Sequence, residues 1–485
     1  MIDTQAIRSK ILDLAMRGQL TEQLPEDGTV EELYQQINAH KNKLIATGVT
    51  KRDKTISSQE LAQKTPSIPS NWKWVVFGTV ITLQSGQDLK PEEYNASENG
   101  IPYLTGASNF SENGQLIINR WTDQPKNLAI RGDILLSCKG TVGKLAILAV
   151  DQVHIARQFM AIRTYDMNVR FVAFFMQSVI EGIKKASKGL IPGIERNDIL
   201  RLSLPLPPLA EQHRIVARIE QAFSTLDTID ALQAKYADNL AVLKSKLIDA
   251  AIQGKLTEQL PEDGTAEELY QQIQAEKQAL IKAGKIKKEK PLPEITDDEV
   301  PFEIPGNWKW CRLQSVYNFI DYRGATPNKI SEGVPFVTAK NVRQGHIDYS
   351  ISEFISEADY QKRQSRGVSH RGDILFTTEA PMGYAAIADL DRFSAGQRLI
   401  TLQQYTTDSL LENNYYMYAI SAPFFQKQLD AKCSGTTVKG IKADRLKQFL
   451  IPLPPLAEQK RIVAKLEELL AVCDELKAAS KRMEP

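Results

Sequence analysis

At 485 residues the chain is too long for one ordinary hydrophobic core, and usual domain sizes suggest about three units. Its 42% apolar and 25% charged residues describe a folded globular protein rather than a disordered one, and no stretch approaches the roughly 18 unbroken apolar residues of a membrane span. The net charge of +1 hides an asymmetry: residues 69–204 hold 15 Lys/Arg against 12 Asp/Glu, residues 305–451 hold 18 against 14, and the rest carries a net −6. Chance gives differences of this size; so does a division between basic modules that meet a polyanion and an acidic frame that meets protein.

The opening stretch MIDTQAIRSKILDLAM has charges inside its apolar pattern, which predicts an amphipathic helix rather than a signal peptide. Gly18 stands where a helix C-terminal glycine belongs, and Thr29 with Glu32 forms the Thr-x-x-Glu capping box of a second helix. A polar, Lys-rich stretch at 40–68 reads as a linker into a first module that begins Asn71-Trp72-Lys73-Trp74, its tryptophans expected as core anchors. Short β-branched and aromatic runs between glycines predict strands and tight turns, one of them Gly140-Thr141-Val142-Gly143-Lys144, while the apolar run from Phe171 to Ile180 predicts a helix. The module is therefore a mixed α/β unit.

From Ala210 to about Leu256 the apolar residues Ile215, Ile219, Phe223, Leu226, Ile229, Leu232, Tyr236, Leu240, Leu243 and Leu247 recur at steps of three and four, the spacing of a coiled-coil seam. An unbroken helix of about 45 residues spans roughly 65–70 Å, although Ser224-Thr225 is a place where it could break. Prolines precede it in PLPPLAEQ, where a missing N–H does no harm. Next come a second helix-ending glycine, Gly254, a second Thr-x-x-Glu, Thr265 with Glu268, and a second Lys-rich stretch at 282–304. A second module opens on Asn307-Trp308-Lys309-Trp310 and repeats the landmarks of the first: Val334–Thr338 answers Ile101–Thr105, Arg371–Leu375 answers Arg131–Leu135, and Ser434–Ile441 answers Ser187–Ile194. Between these landmarks, residues 85–100 and 107–130 have no convincing partner in 320–333 and 343–370.

The duplication is circular. Residues 18–37 match 254–273 at 18 of 20 positions, and PLPPLAEQHRIVARIE (205–220) matches PLPPLAEQKRIVAKLE (452–467) at 13 of 16. The first pair opens the chain, the second closes it, and the centre carries both in reverse order. The terminal helices together mimic the central one, so the arrangement predicts antiparallel packing and two similar modules related by a pseudo-twofold.

The twice-occurring P-L-P-P-L-A-E-Q-x-R-I-V-A at 205–217 and 452–464, the paired Trp-Lys-Trp starts, the Arg-Gly-Asp-Ile-Leu strands and the circular frame together resemble the specificity subunit of type I restriction–modification systems, over essentially the whole chain. The resemblance implies an α+β chain in five segments: a helical region at 1–64, a first target-recognition domain at 65–207, a central helical spacer at 208–300, a second target-recognition domain at 301–451 and a closing helix at 452–485. It implies two domains that each read half of an interrupted, asymmetric DNA site, held apart by an antiparallel coiled coil. That frame docks two methylation subunits, and restriction (motor–nuclease) subunits complete the complex. S-adenosylmethionine, ATP and Mg belong to those cytoplasmic partners, with no cofactor in this chain. The sequence agrees by omission: it holds neither an Asn-Pro-Pro-Tyr-type motif nor a G-x-x-x-x-G-K-[ST] loop.

Base edges are read by Arg, Lys, Asn, Gln and Ser/Thr, and phosphates are held by Lys and Arg. In the first module the candidates are Ser108, Asn109, Lys139, Thr141, Lys144, Arg157, Gln158, Lys188 and Arg196. In the second they are Lys340, Asn341, Arg343, Thr377, Thr378, Glu379, Gln397, Arg398, Lys439 and Lys442. For each, a solvated surface residue is the bland reading, and for Glu379 a local ion pair. The four scattered cysteines (Cys138, Cys311, Cys433, Cys473) read as reduced packing residues, and the five histidines lack ligand spacing, so no metal is assigned. The rival from another class is a protein-interaction scaffold with two paralogous binding modules on a coiled coil; an enzyme in its own right lacks any nucleophile–base pair, metal cluster or cofactor loop.

Overall fold

The computed structural model describes residues 1–50, 65–111, 114–186, 193–323, 326–406, 409–434 and 439–482. The chain divides into two compact units, Ile2–Gln233 and Ala234–Pro485 together with Met1. It passes from the first to the second inside one helix, Leu209–Ile252, which runs unbroken through Ser224 and Thr225. Thr225 turns its hydroxyl back onto the Gln221 carbonyl at 3.1 Å, so the expected break does not occur.

In the first unit the helix Thr4–Met16 lies antiparallel to the first half of this long helix. Thr4 donates to Asp230 at 2.6 Å, and Arg8 reaches both Asp227 and Asp230. In the second unit the helix Leu456–Arg482 repeats the arrangement against the other half, with Lys244 paired to Asp474 at 2.5 Å. The expected seam is buried only in part: Ile215, Ile219, Leu226 and Leu240 are covered, whereas Leu232 is 60% exposed and Tyr236 and Leu243 are open. The N-terminal segment reaches past this position, where the Ile2 backbone exchanges hydrogen bonds with the Gln233 amide, yet it leaves the Leu232 side chain open. Ile7, Val472 and Leu476 are likewise uncovered.

The duplicated sequence builds one polar joint twice. Glu211, fully buried in the first turn of the long helix, accepts the Trp72 indole N–H at 2.8 Å and the Gln23 amide at 2.9 Å. Glu458 accepts Trp308 at 2.8 Å and Gln259 at 2.9 Å. Next to each carboxylate, Gln212 and Gln459 donate to the Pro207 and Pro454 carbonyls just before the helix. Arg214 and Arg461 form two-pronged pairs with Asp27 and Asp263, which the guanidinium hydrogen bonds hold below the ordinary carboxylate range. Gly18 and Gly254, both left-handed at φ +68° and +69°, end their helices where a side chain would strike Pro69 and Pro305. One difference separates the copies: Thr265 and Glu268 complete a capping box, but the Thr29 side chain caps nothing.

Each module is sewn onto its frame by a two-stranded antiparallel ribbon, Lys73–Val76 with Ser203–Leu206 and Lys309–Arg312 with Leu450–Leu453. Inside lies an antiparallel sheet of four strands, in the order Ile81–Ser85, Phe159–Thr164, Ile134–Ser137, Leu145–Ile147 in the first unit. Its counterpart runs Asn318–Asp321, Leu399–Gln403, Ile374–Thr377, Ala385–Ile387. The apolar run 134–136 of the strand Ile134–Ser137 follows from burial of this strand on both faces. Ile134 and Leu136 join the frame core with Phe171 and Ile215, while Leu135 faces Leu104 and Phe159.

A second sheet covers that outer face. In the first unit Ile101–Leu104 pairs parallel to Gln152–Ile155 and antiparallel to Trp121–Thr122. In the second, Val334–Val337 pairs parallel to Ser394–Ala395 and antiparallel to Phe354–Ile355. The strands Trp121–Thr122 and Phe354–Ile355 are thus equivalent, although their sequences show no match. The fourth strands differ: Leu128–Ile130 adds beyond Gln152–Ile155 in one unit, Lys329–Ile330 beyond Phe354–Ile355 in the other. The four cysteines are unpaired.

Candidate nucleic-acid interface

Sheet register brings most of the candidate residues of each module to one sheet end. In the first unit the strand Ile134–Ser137 stops opposite Phe159, and beyond it the Cys138 N–H donates to the Gln158 carbonyl at 2.8 Å. The Ile194 N–H then donates to the Cys138 carbonyl at 3.0 Å, and Lys139 bridges Gly193. Three segments remote in sequence therefore meet: the turn 138–144, the turn 156–158 and the loop reaching 193–196. The turn after Leu104 joins them, because the Gln158 amide lies over Gly106, where a Cβ would sit 1.9 Å from its Oε1. Ser108, Lys139, Thr141, Arg157 and Gln158 are exposed there, and Lys144 is half-buried with its ammonium 5.6 Å from the Phe110 ring centre.

The second unit repeats the two backbone bonds at the centre of this construction. Thr378 N–H donates to the Arg398 carbonyl and Ile441 N–H to the Thr378 carbonyl, each at 3.0 Å. Lys340, Arg398, Lys439 and Lys442 are exposed around it, with Arg343, Glu379 and Gln397 half-buried. Arg398 pairs with Glu379 at 3.0 Å, Arg343 with Asp348 at 3.3 Å, and Lys439 lies 3.9 Å from Asp430.

Four candidates are corrected by their burial. Asn109 accepts from Thr105 and Gly106 and donates to Ile117, so its amide closes its own turn. Asn341 does the same with Thr338, Asp348 and Ile351. Thr377 exchanges bonds with the Tyr384 backbone, and Thr378 donates to the Arg398 carbonyl. All four are buried, with both amides committed to their own turns and both hydroxyls donating to backbone carbonyls, so none is presented as an exposed base reader. Arg196 is half-buried and braces the neighbouring strand through the Leu83 carbonyl and Ser85 hydroxyl. Lys188 lies outside the described residues.

Sequence reasoning overlooked the residues that aim this surface. Asp88 holds Arg157 at 2.6 Å, and Gln397 is held by Thr326. The Asp88 loop is itself fixed by buried His154. The ring accepts the Lys126 and Asn127 N–H groups at Nδ1 and donates from Nε2 to the Gln87 carbonyl at 2.8 Å. Burial holds this imidazole below its ordinary range, which keeps it neutral and structural. Cys138, under the same surface, has its thiol pushed up by burial and so is unreactive. Only Gly86 and Gly106 signal these close approaches in the sequence, and a glycine names no partner. Among the described residues no cluster of His, Cys, Asp or Glu is suited to a metal, and no helix is long and apolar enough to cross a membrane.

A family description, the type I restriction modification DNA specificity domain, matches the chain twice, at residues 69–235 and 305–483. The chain belongs to that family. The type I restriction enzyme EcoAI specificity subunit of Escherichia coli is 28% identical, covering 97% of this chain and 90% of that protein. The EcoEI specificity subunit of Escherichia coli is 25% identical over the same shares. A chain of a solved type I R-M system assembly shares the fold at 21% identity with a TM-score of 0.59, covering 86% of this chain and 95% of that one. The function of such a chain is DNA sequence recognition, and the scaffold reading is not favoured.

Proposed function

We propose that each module reads one half of a bipartite, asymmetric duplex target through the sheet end described above, and that the long helix spaces the two readings. The observation that carries this is a shared skeleton with unlike tips: identical backbone bonds at Cys138 and Thr378 present Lys139 and Gln158 in one module and Glu379 and Arg398 in the other. Lysines and arginines around each tip hold phosphates and make binding weaken with salt. The uncovered Leu232, Tyr236, Leu243, Val472 and Leu476 supply apolar area for two methylation subunits, with restriction subunits completing the assembly. Adenine methylation and ATP-driven cleavage, with S-adenosylmethionine, ATP and Mg, fall to those cytoplasmic partners, and this chain is non-catalytic. Exchanging residues 69–204 for another specificity subunit's first module, then mapping methylated adenines genome-wide, tests the reading. One half-site is expected to change; a change in both overturns it.

A further inference from the structure

The two modules carry the same two residue types in opposite order on the same turn. Register fixes the correspondence: Ser137 faces Phe159 and Thr377 faces Leu399, so Gln158 matches Arg398 and Arg157 matches Gln397. The outer member of each pair is tied back to a loop of its own module, Arg157 to Asp88 at 2.6 Å and Gln397 to Thr326. The inner member, exposed, stands beside the turn that starts at Lys139 or Glu379. The Gln158 side chain is seated on Gly106, and Arg398 is steadied by Glu379 at 3.0 Å. Both inner side chains are therefore held in place before any ligand arrives, which lowers the entropy cost of binding.

We infer that Gln158 and Arg398 occupy one equivalent reading position, at which the first module selects an A·T pair and the second a G·C pair. The chemistry follows from the side chains. A carboxamide offers one donor and one acceptor, the complement of adenine N6 and N7. A guanidinium offers two parallel donors, the complement of guanine O6 and N7. The transposition of Arg-Gln to Gln-Arg exchanges these two recognisers while keeping the backbone bonds and leaving the outer residue tied to a loop in each module, by an ion pair in one and a hydroxyl in the other. The inference rests on the modules being base readers.

The test is selection from a random duplex pool by the full chain with its co-purified partner subunits. The wild type is expected to enrich a bipartite motif; enrichment of no sequence overturns the proposed function and this inference together. With a motif in hand, Gln158→Arg should convert one A·T position to G·C in one half-site, and Arg398→Gln should make the reverse change in the other. Gln158→Ala and Arg398→Ala, at exposed positions whose melting temperatures confirm folding, should each cost about ten- to a hundredfold in preference at that position alone. An unchanged motif, or a uniform loss of affinity across all sequences, overturns the inference and leaves the bipartite reading standing.

Discussion

Trp72 donates its indole N–H to Glu211 at 2.8 Å inside the first unit's core, across 139 positions of sequence, and Trp308 repeats the bond to Glu458 at 2.8 Å across 150. A buried carboxylate is tolerated because donors from separate segments fill its lone pairs. Removing it leaves the buried Trp72 indole N–H without its acceptor. Glu211→Ala should cost about 2–3 kcal/mol in denaturant unfolding, and Glu458→Ala a similar amount. Because the joints are independent, the double variant should show the sum. A loss below about 0.5 kcal/mol in either single variant contradicts the role assigned to the joint.

The Arg-Gly-Asp-Ile-Leu carboxylates have different partners. Asp133 takes both prongs of Arg163 at 2.8–2.9 Å, whereas Asp373 faces Gln403, the residue equivalent to Arg163. Burial pushes the Asp373 carboxyl up to about 7, against hydrogen bonds from the His370 N–H and Gln403 that lower it. Because the folded value is raised, Asp373 favours the folded state at acid pH and that contribution is lost as pH rises through about 7. The second unit's resistance to denaturant should fall as pH rises from about 4 to about 7 and level off above that. Gln403→Arg or Asp373→Asn should flatten that dependence, and Gln403→Arg should stabilise at pH 8 by about 1–2 kcal/mol. A pH profile unaltered by both variants refutes the assignment.

Tyr415 and Tyr416 are fully buried, and neither hydroxyl has a partner. The first unit places Phe171 and Val172 at the matching positions, three and four residues past the backbone N–H that meets Gln212, as Glu412 meets Gln459. An unpaired buried hydroxyl opposes folding, so Tyr415→Phe should be neutral or stabilising by up to about 1 kcal/mol. A melting temperature lowered by several degrees speaks against it.

The helix Leu209–Ile252 carries the chain from one unit to the other, so its length should set the gap between half-sites. Inserting about four residues, one turn of roughly 5.4 Å, within 226–240 should lengthen the tolerated gap by about one or two base pairs without changing the bases read. A gap that stays the same in methylation mapping refutes the spacer role.

Turn closure by Asn109 and Asn341 contrasts with base reading. Asn109→Ala removes five hydrogen bonds around one turn and Asn341→Ala four, so each should lower stability by about 1–3 kcal/mol. The selected DNA motif should be preserved wherever the protein stays folded. A changed base preference in folded protein restores them as readers.

The duplication, the long helix, the glycine-ended helices and the tryptophan anchors were legible in the residues, because period, caps and repeats are local or self-similar signals. The joint itself was half-legible: the repeat pointed to the positions around Glu211 and Glu458 without saying that each carboxylate would meet an indole. Only the folded chain decided which polar residues face outward. Asn109 and Gln158 look equally fit to read a base, yet one amide is consumed by its own turn and the other rests exposed on Gly106. The equivalence of Trp121–Thr122 with Phe354–Ile355 also surfaced only through strand pairing. A side chain's availability depends on which backbone groups distant segments bring to it, and no periodicity along the chain records that.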